Sequence, residues 1–131
     1  MTESRICNCD YIKQPIDFKG LSIDGHIYPT DIDGIIEYKN SEYIILEAKY
    51  GKAPVPKGQK LALQRMVDDF IKIGKKAVVI VFEHKIKNDT PIIAAWCKVR
   101  EVYYGNNTWE KVDENVTVGK AVKNFQKGIK I

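Results

Sequence analysis

Apolar and polar residues alternate with a period of two through two neighbouring stretches, Ile32–Tyr38 and Tyr43–Lys49. The segment between them, Lys39-Asn40-Ser41-Glu42, is polar and turn-forming, so the two runs are predicted to pair as an antiparallel hairpin. Alternation assigns the faces. Ile44, Leu46 and Ala48 share one face of the second run, and Tyr43, Ile45, Glu47 and Lys49 share the other. In the first run Ile32, Gly34, Ile36 and Tyr38 lie opposite in face to Asp31, Asp33, Ile35 and Glu37. A three-residue loop, Lys39 to Ser41, pairs Tyr38 with Glu42, Asp33 with Glu47 and Asp31 with Lys49, and keeps the apolar set together. A loop one residue shorter or longer puts the two sets on opposite faces.

The rest of the chain is read in the same way. Lys19 to Tyr28 is predicted as a strand interrupted at Asp24-Gly25, a hairpin-type turn signal. Residues 50–58 contain Pro54, Pro56 and two glycines and are predicted to be a loop. A helix follows, because Ala62, Leu63, Met66, Val67, Phe70 and Ile71 recur at helical spacing, and Gly74 with Lys75 and Lys76 supplies its stop. Ala77 to Phe82 is a short continuous apolar run rich in β-branched residues, as in a strand buried on both faces at the centre of a sheet. Pro91–Tyr104 and Thr108–Val112 flank Gly105-Asn106-Asn107 and are predicted to form a second hairpin. Thr117 is a predicted N-cap for a closing helix whose apolar face is Val118, Ala121, Val122 and Phe125, ended by Gly128. The expected order is β-β-β-α-β-β-β-α: an α/β fold with a mixed β-sheet flanked by helices, in one domain over residues 1–131.

Length and composition agree with that picture. The chain has 131 residues, 44% hydrophobic and 29% charged, enough to bury a core without disulfides and too apolar for disorder. No stretch approaches the length of a bilayer-crossing helix, and the opening residues MTESRICNCD lack the apolar core of a secretory signal, so an intracellular, cytoplasmic protein is expected. Cys7, Cys9 and Cys97 cannot all pair, and the Cys7–Cys9 spacing suits neither a disulfide nor a zinc knuckle; reduced thiols are expected. The net charge of +4 conceals an asymmetry. Residues 1–50 carry five basic and nine acidic side chains, and residues 51–131 carry sixteen and eight. An acidic cluster beside a basic surface is compatible with a metal-dependent enzyme acting on nucleic acid, and equally with a solvated surface whose charges are skewed by chance.

The hairpin supplies the candidate chemistry. Asp33 opposite Glu47 places like charges on one face of a sheet, which is destabilising unless a cation lies between them. Oxygen ligands of this kind suit Mg²⁺ or Mn²⁺, which take their remaining ligands from water and phosphate. Lys49 lies on the same face as Glu47, about 7 Å along the strand, in reach of an attacking water or a scissile phosphate. Metal-assisted phosphodiester hydrolysis needs these parts.

The run Pro29-Thr30-Asp31-Ile32-Asp33-Gly34 followed by Ile44-Ile45-Leu46-Glu47-Ala48-Lys49 resembles the motif of the PD-(D/E)xK nuclease superfamily. Beyond the motif, the stretch from Glu47 to Phe82 resembles the VRR-NUC branch, in which ExK leads to a Gly-containing loop, a Gln-bearing helix, a Gly and an apolar strand. The hairpin is also similar to archaeal Holliday-junction resolvases. The resemblance covers roughly residues 29–83 and implies a restriction-endonuclease-like core. It implies Asp33, Glu47 and the Ala48 backbone carbonyl as ligands of Mg²⁺ or Mn²⁺, and Lys49 as the residue that positions or activates water. A helix glutamine joins them: Gln64 fits the spacing to Gly74 and is preferred, whereas Gln59 fits the start of the helix. The sequence departs from the family pattern in two places. The Pro is separated from its Asp, which leaves Asp31 as a competitor of Asp33 or an extra ligand, and no acidic N-terminal helix supplies a further Glu.

The function that these residues and the resemblance imply is that of a Mg²⁺- or Mn²⁺-dependent endo- or exodeoxyribonuclease, with branched recombination, repair or replication intermediates among the substrates left open. The alternative is a catalytically weak or inactive nucleic-acid-binding or regulatory module on the same fold. DNA is the expected partner, with a second copy of the chain or a targeting protein supplying specificity that a small core lacks. His26 is read as a polar loop residue, and Trp96, Trp109, Tyr103 and Tyr104 as cross-strand packing or as base-stacking groups.

Overall fold

The computed structural model describes residues 15–131. The described residues before Asp31 and those from Asp31 to Ile131 cluster as two units, and the second carries the sheet. Its elements are β1 (Gly34–Tyr38), β2 (Glu42–Tyr50), α1 (Lys57–Lys72), β3 (Lys76–His84), a single 3₁₀ turn (Ala94–Trp96), β4 (Lys98–Tyr103), β5 (Trp109–Lys111) and α2 (Val118–Gln126). The five strands form one mixed sheet in the order β1-β2-β3-β4-β5. Only the β2–β3 pair is parallel, because α1 carries the chain back between them.

The hairpin forms in the predicted register, with Tyr38 opposite Glu42 and Gly34 opposite Leu46. Lys39 and Asn40 both take left-handed backbone conformations at its turn, and the Ser41 N–H donates to the Tyr38 carbonyl. That geometry matches the twist of antiparallel strands and suits Asn more than Lys. The AVVIVF run is the middle strand, as its two-sided burial requires.

One helix covers each face. Leu63 and Val67 of α1 pack on Ile45, Val79, Val81 and Tyr103. Val118, Ala121 and Phe125 of α2 pack on Ile44, Val78, Ile80 and Val102. The alternation along β2 and β3 therefore sends successive side chains to different helices. Thr117 caps α2 by accepting the Lys120 N–H at 3.2 Å, and Gly128 follows the helix in the left-handed region. The β4–β5 turn takes three successive left-handed residues, Gly105, Asn106 and Asn107, a conformation that favours these residue types.

Two expectations are corrected. Lys19 to Tyr28 is not a strand: Ile23 and Ile27 make one isolated bridge around a turn at Asp24 and Gly25, too short a pairing to form a strand. Pro91 to Tyr104 is not one continuous strand either. Ala94–Trp96 turns as 3₁₀, and β4 begins only at Lys98, where it finds Glu83 of β3 as a partner. The order in the described residues is thus β-β-α-β-β-β-α. Cys97 is a free thiol pushed above its ordinary pKa by burial, while Cys7 and Cys9 lie outside the described residues. No described helix is long and apolar enough to cross a membrane.

Candidate active site

The site begins where β1 runs out. β2 continues past Leu46, whose partner Gly34 is the first residue of β1, so the Ala48 N–H has no backbone acceptor across that edge. The Asp33 side chain fills the position: its Oδ2 accepts from Ala48 N at 2.8 Å. Along a strand in an antiparallel pair, the N–H and C=O of one residue leave by the same edge. The Ala48 carbonyl is therefore directed toward the side on which Asp33 sits.

Glu47 and Lys49 stand on the α1 face of β2, the face of Ile45. Glu47 is only 2% exposed and is the single charged residue in the described core. One of its oxygens is well held: Oε2 lies 3.1 Å from Lys49 Nζ and accepts from Gln59 Nε2 at 2.5 Å. Its other oxygen, Oε1, is buried and has no hydrogen-bond partner. Burial first, then the negative charge of the adjacent Asp33, raise the Glu47 carboxyl above its ordinary pKa of 4.5, against the opposing pull of Lys49. Ionised, Glu47 is a buried anion facing a second carboxylate. An unpaired buried acceptor of that kind is costly, and a cation at Oε1 would remove the cost.

Gln59 closes the arrangement from the first turn of α1. Its Oε1 accepts from Lys49 Nζ at 3.1 Å, while Nε2 donates to Glu47 and to the Asp31 backbone carbonyl at 3.0 Å. One amide thus fixes the lysine, the glutamate and the approach to β1. Gln59 is placed to do so because it lies four residues before Leu63 and eight before Val67, on the stripe that faces the sheet. The chain from Lys49 to Gln59 is anchored in turn by Arg100 of β4, which donates to the Gly51 carbonyl at 2.8 Å and the Ala53 carbonyl at 2.6 Å. Arg100 also meets Glu83, as does Lys52. Burial alone would raise Glu83, but these cations outweigh it and hold its carboxyl below the ordinary range.

The structure brings together Asp33, Glu47, Lys49 and the Ala48 backbone, and it leaves Gln64 out. Gln64 lies on the flank of α1, where it accepts from Trp109 Nε1 at 3.1 Å and donates to Asn107 at 2.9 Å. Gln59 takes the place expected of it, and the signal that marks Gln59 is the backward extension of the apolar stripe to a polar residue in the first turn. Asp31 contributes its backbone carbonyl through Gln59, and the carboxylate beside Glu47 is that of Asp33. His26 donates from Nδ1 to the Asp24 carbonyl in its own turn. Among the described residues no three His, Cys, Asp or Glu side chains converge, and the oxygen groups that meet here are the Asp33 and Glu47 carboxylates beside the Ala48 backbone. Oxygen groups of this kind would suit Mg²⁺ or Mn²⁺, which retain several waters, better than zinc. Comparison with known protein families, curated proteins and solved structures gives no match.

Proposed function

We propose that this sheet is a nuclease core of the PD-(D/E)xK type and that the protein hydrolyses phosphodiester bonds of DNA with Mg²⁺ or Mn²⁺. The observation that carries the reading is Glu47: a carboxylate 2% exposed, next to Asp33, with one oxygen orphaned. An unpaired buried carboxylate oxygen costs a sheet stability, and a cation bound there would offset that cost. The order of hairpin, helix and central strand around it is also that of the core the motif implies.

Asp33, Glu47 and the Ala48 carbonyl would hold the ion. When bound, it supplies Lewis-acid polarisation of a phosphate oxygen and acidifies a water for attack. Lys49 keeps a proton at Nζ, 3.1 Å from Glu47 Oε2, and there offsets the charge that builds on the phosphate as the water oxygen bonds to phosphorus and the P–O bond to the leaving oxygen breaks. Gln59 holds Lys49 and Glu47 in one geometry, so that neither side chain reorganises during the reaction. The loop pinned by Arg100 keeps the two ends of this set in register.

A second reading, binding without hydrolysis, is favoured by the short donor set of two carboxylates. Cleavage separates the two. Labelled linear, single-stranded, flap and four-way DNA are incubated with Mg²⁺ and with Mn²⁺, using wild type, Lys49→Ala and Asp33→Ala, each checked for folding by circular dichroism. Metal-dependent cutting that falls at least about 100-fold in both variants is expected. Folded wild-type protein that binds but cuts none of the substrates would establish the binding module instead.

A further inference from the structure

The end of the sheet that holds Glu47 and Lys49 presents a second feature that takes no part in that site. β2 and β3 leave the sheet together, Tyr50 beside His84, and Glu83 pairs with Lys98 at the start of β4. Lys49, Glu83 and Lys98 therefore form one row across three strands, about 10 Å wide at ~4.8 Å per strand. Two residues before Lys98, in the 3₁₀ turn, stands Trp96, 76% exposed.

Its backbone is firmly held. The Trp96 N–H donates to the Ile93 carbonyl at 3.0 Å, Cys97 N–H to Ala94 at 2.9 Å, and the Cys97 carbonyl accepts from Val118 at 2.9 Å. α2 presses on the turn so closely that a Cβ on Gly119 would come within 3.2 Å of the Ala95 carbonyl. The other aromatic residues from this part of the chain are used in packing. Tyr103 is buried and tilted against Trp109 at 5.1 Å, Trp109 donates to Gln64, and Tyr104 stacks on Phe125. Trp96 alone of the four offers its indole to solvent from a rigid turn.

The surroundings select the partner. Residues 49–67 contain four lysines and an arginine, of which Lys49, Lys52 and Lys60 pair with Glu47, Glu83 and Glu101, and residues 84–100 contain three lysines and an arginine, Arg100 paired with Glu83, against Asp89. Lys57, Lys85 and Lys87 are exposed and make no ion pair with a carboxylate among the described residues, while Lys98 lies beside Glu83 across the β3–β4 pair. A positive rim with one free aromatic face fits a polyanion with free aromatic faces of its own, which is a nucleic acid with unpaired bases; in continuous duplex those faces are already stacked.

We propose that Trp96 is a stacking platform for an unpaired base, and that the preferred ligand is DNA with single-stranded character. The inference deepens the nuclease reading and rests on it only for the position of the scissile phosphate. Trp96 stands two residues before Lys98, at the end of the sheet where the row from Lys49 through Glu83 to Lys98 lies.

The test reads binding, without cleavage. Wild type, Trp96→Phe, Trp96→Ala and Trp109→Phe are titrated in EDTA, at one ionic strength, with a single strand, a blunt duplex and a duplex bearing a single-stranded tail. Intrinsic fluorescence and anisotropy of labelled DNA are both followed. The single strand and the tailed duplex should quench Trp96 emission, retained in Trp109→Phe, and the blunt duplex should not. Trp96→Ala should weaken single-strand and tail binding roughly 5- to 150-fold, with Trp96→Phe recovering much of it and blunt-duplex binding little changed. Equal binding of all three DNAs by wild type and Trp96→Ala overturns the inference. So does a change confined to self-association in sedimentation, which would make the patch a protein interface. Because no cleavage is read, a protein that stacks single strands but never cuts keeps this inference and loses the nuclease reading; one that cuts but binds single strands without regard to Trp96 does the reverse.

Discussion

Replacing Glu47 by Gln removes one charge and keeps the shape of the side chain. In the metal-free protein the retained amide oxygen still accepts from Lys49 and Gln59, while the amide nitrogen takes the place of the orphan Oε1 and can donate to Asp33. Relief of one unsatisfied buried group is worth about 1–3 kcal/mol. For a chain of this length 1 kcal/mol moves the midpoint by roughly 3–5 °C, so Glu47→Gln should melt several degrees above wild type in EDTA. Metal reverses the order. If the site binds Mg²⁺ with a Kd near 1 mM, about 10 mM Mg²⁺ stabilises wild type by ~1.4 kcal/mol, again several degrees. Glu47→Gln, lacking a charged ligand, should gain almost nothing and should not cut DNA. Differential scanning fluorimetry of both proteins with EDTA, Mg²⁺ and Mn²⁺ measures these shifts, and a cleavage assay reads the loss of cutting. A variant less stable than wild type in EDTA, yet equally stabilised by Mg²⁺, would refute the argument, because Glu47 would then be a structural anion with its needs already met.

The same carboxyl sets a pH dependence. Its folded pKa is raised above the ordinary 4.5, so the folded state binds the proton more tightly. Its contribution to the stability of the metal-free protein is intact below pH 4.5 and is lost as pH rises through the folded pKa, and Glu47→Gln should remove that decline in denaturant titrations across the range. Gln59→Ala should lower cleavage at least about tenfold by releasing Lys49 and Glu47, whereas Gln64→Ala should leave cleavage intact and cost about 1 kcal/mol of stability through the lost Trp109 and Asn107 bonds. Kinetics and urea melts on the pair distinguish the two glutamines. Arg100→Ala should destabilise by about 1–3 kcal/mol, since two loop carbonyls and Glu83 lose a charged donor; hydrogen exchange should show the opening confined to residues 50–56.

What the sequence determined by itself is what short-range periodicity and turn chemistry control. The period-two alternation and the three-residue polar loop fix the hairpin register, because a slip of one residue would turn Ile44 and Ile45 to the wrong faces. The 3.6-residue stripe fixes α1, the β-branched run fixes β3 as the middle strand, and Thr117 fixes the start of α2. Asp33 and Glu47 therefore meet for reasons legible in the chain. Other features depended on partners distant in sequence. Lys19 to Tyr28 has strand-like residues and, among the described residues, only a single bridge, and Pro91 to Cys97 gave way to a 3₁₀ turn because α2 packs there. The choice of Gln59 over Gln64 follows from the rotation of α1 on the sheet: five residues amount to about 140° around the helix, so only one of the two can face β2. Likewise the burial of Tyr103, Trp109 and Tyr104 and the exposure of Trp96 were set by which strands and helices cover which rings. Local geometry is carried by neighbours along the chain, whereas burial belongs to the packed layers and exists only once they have assembled.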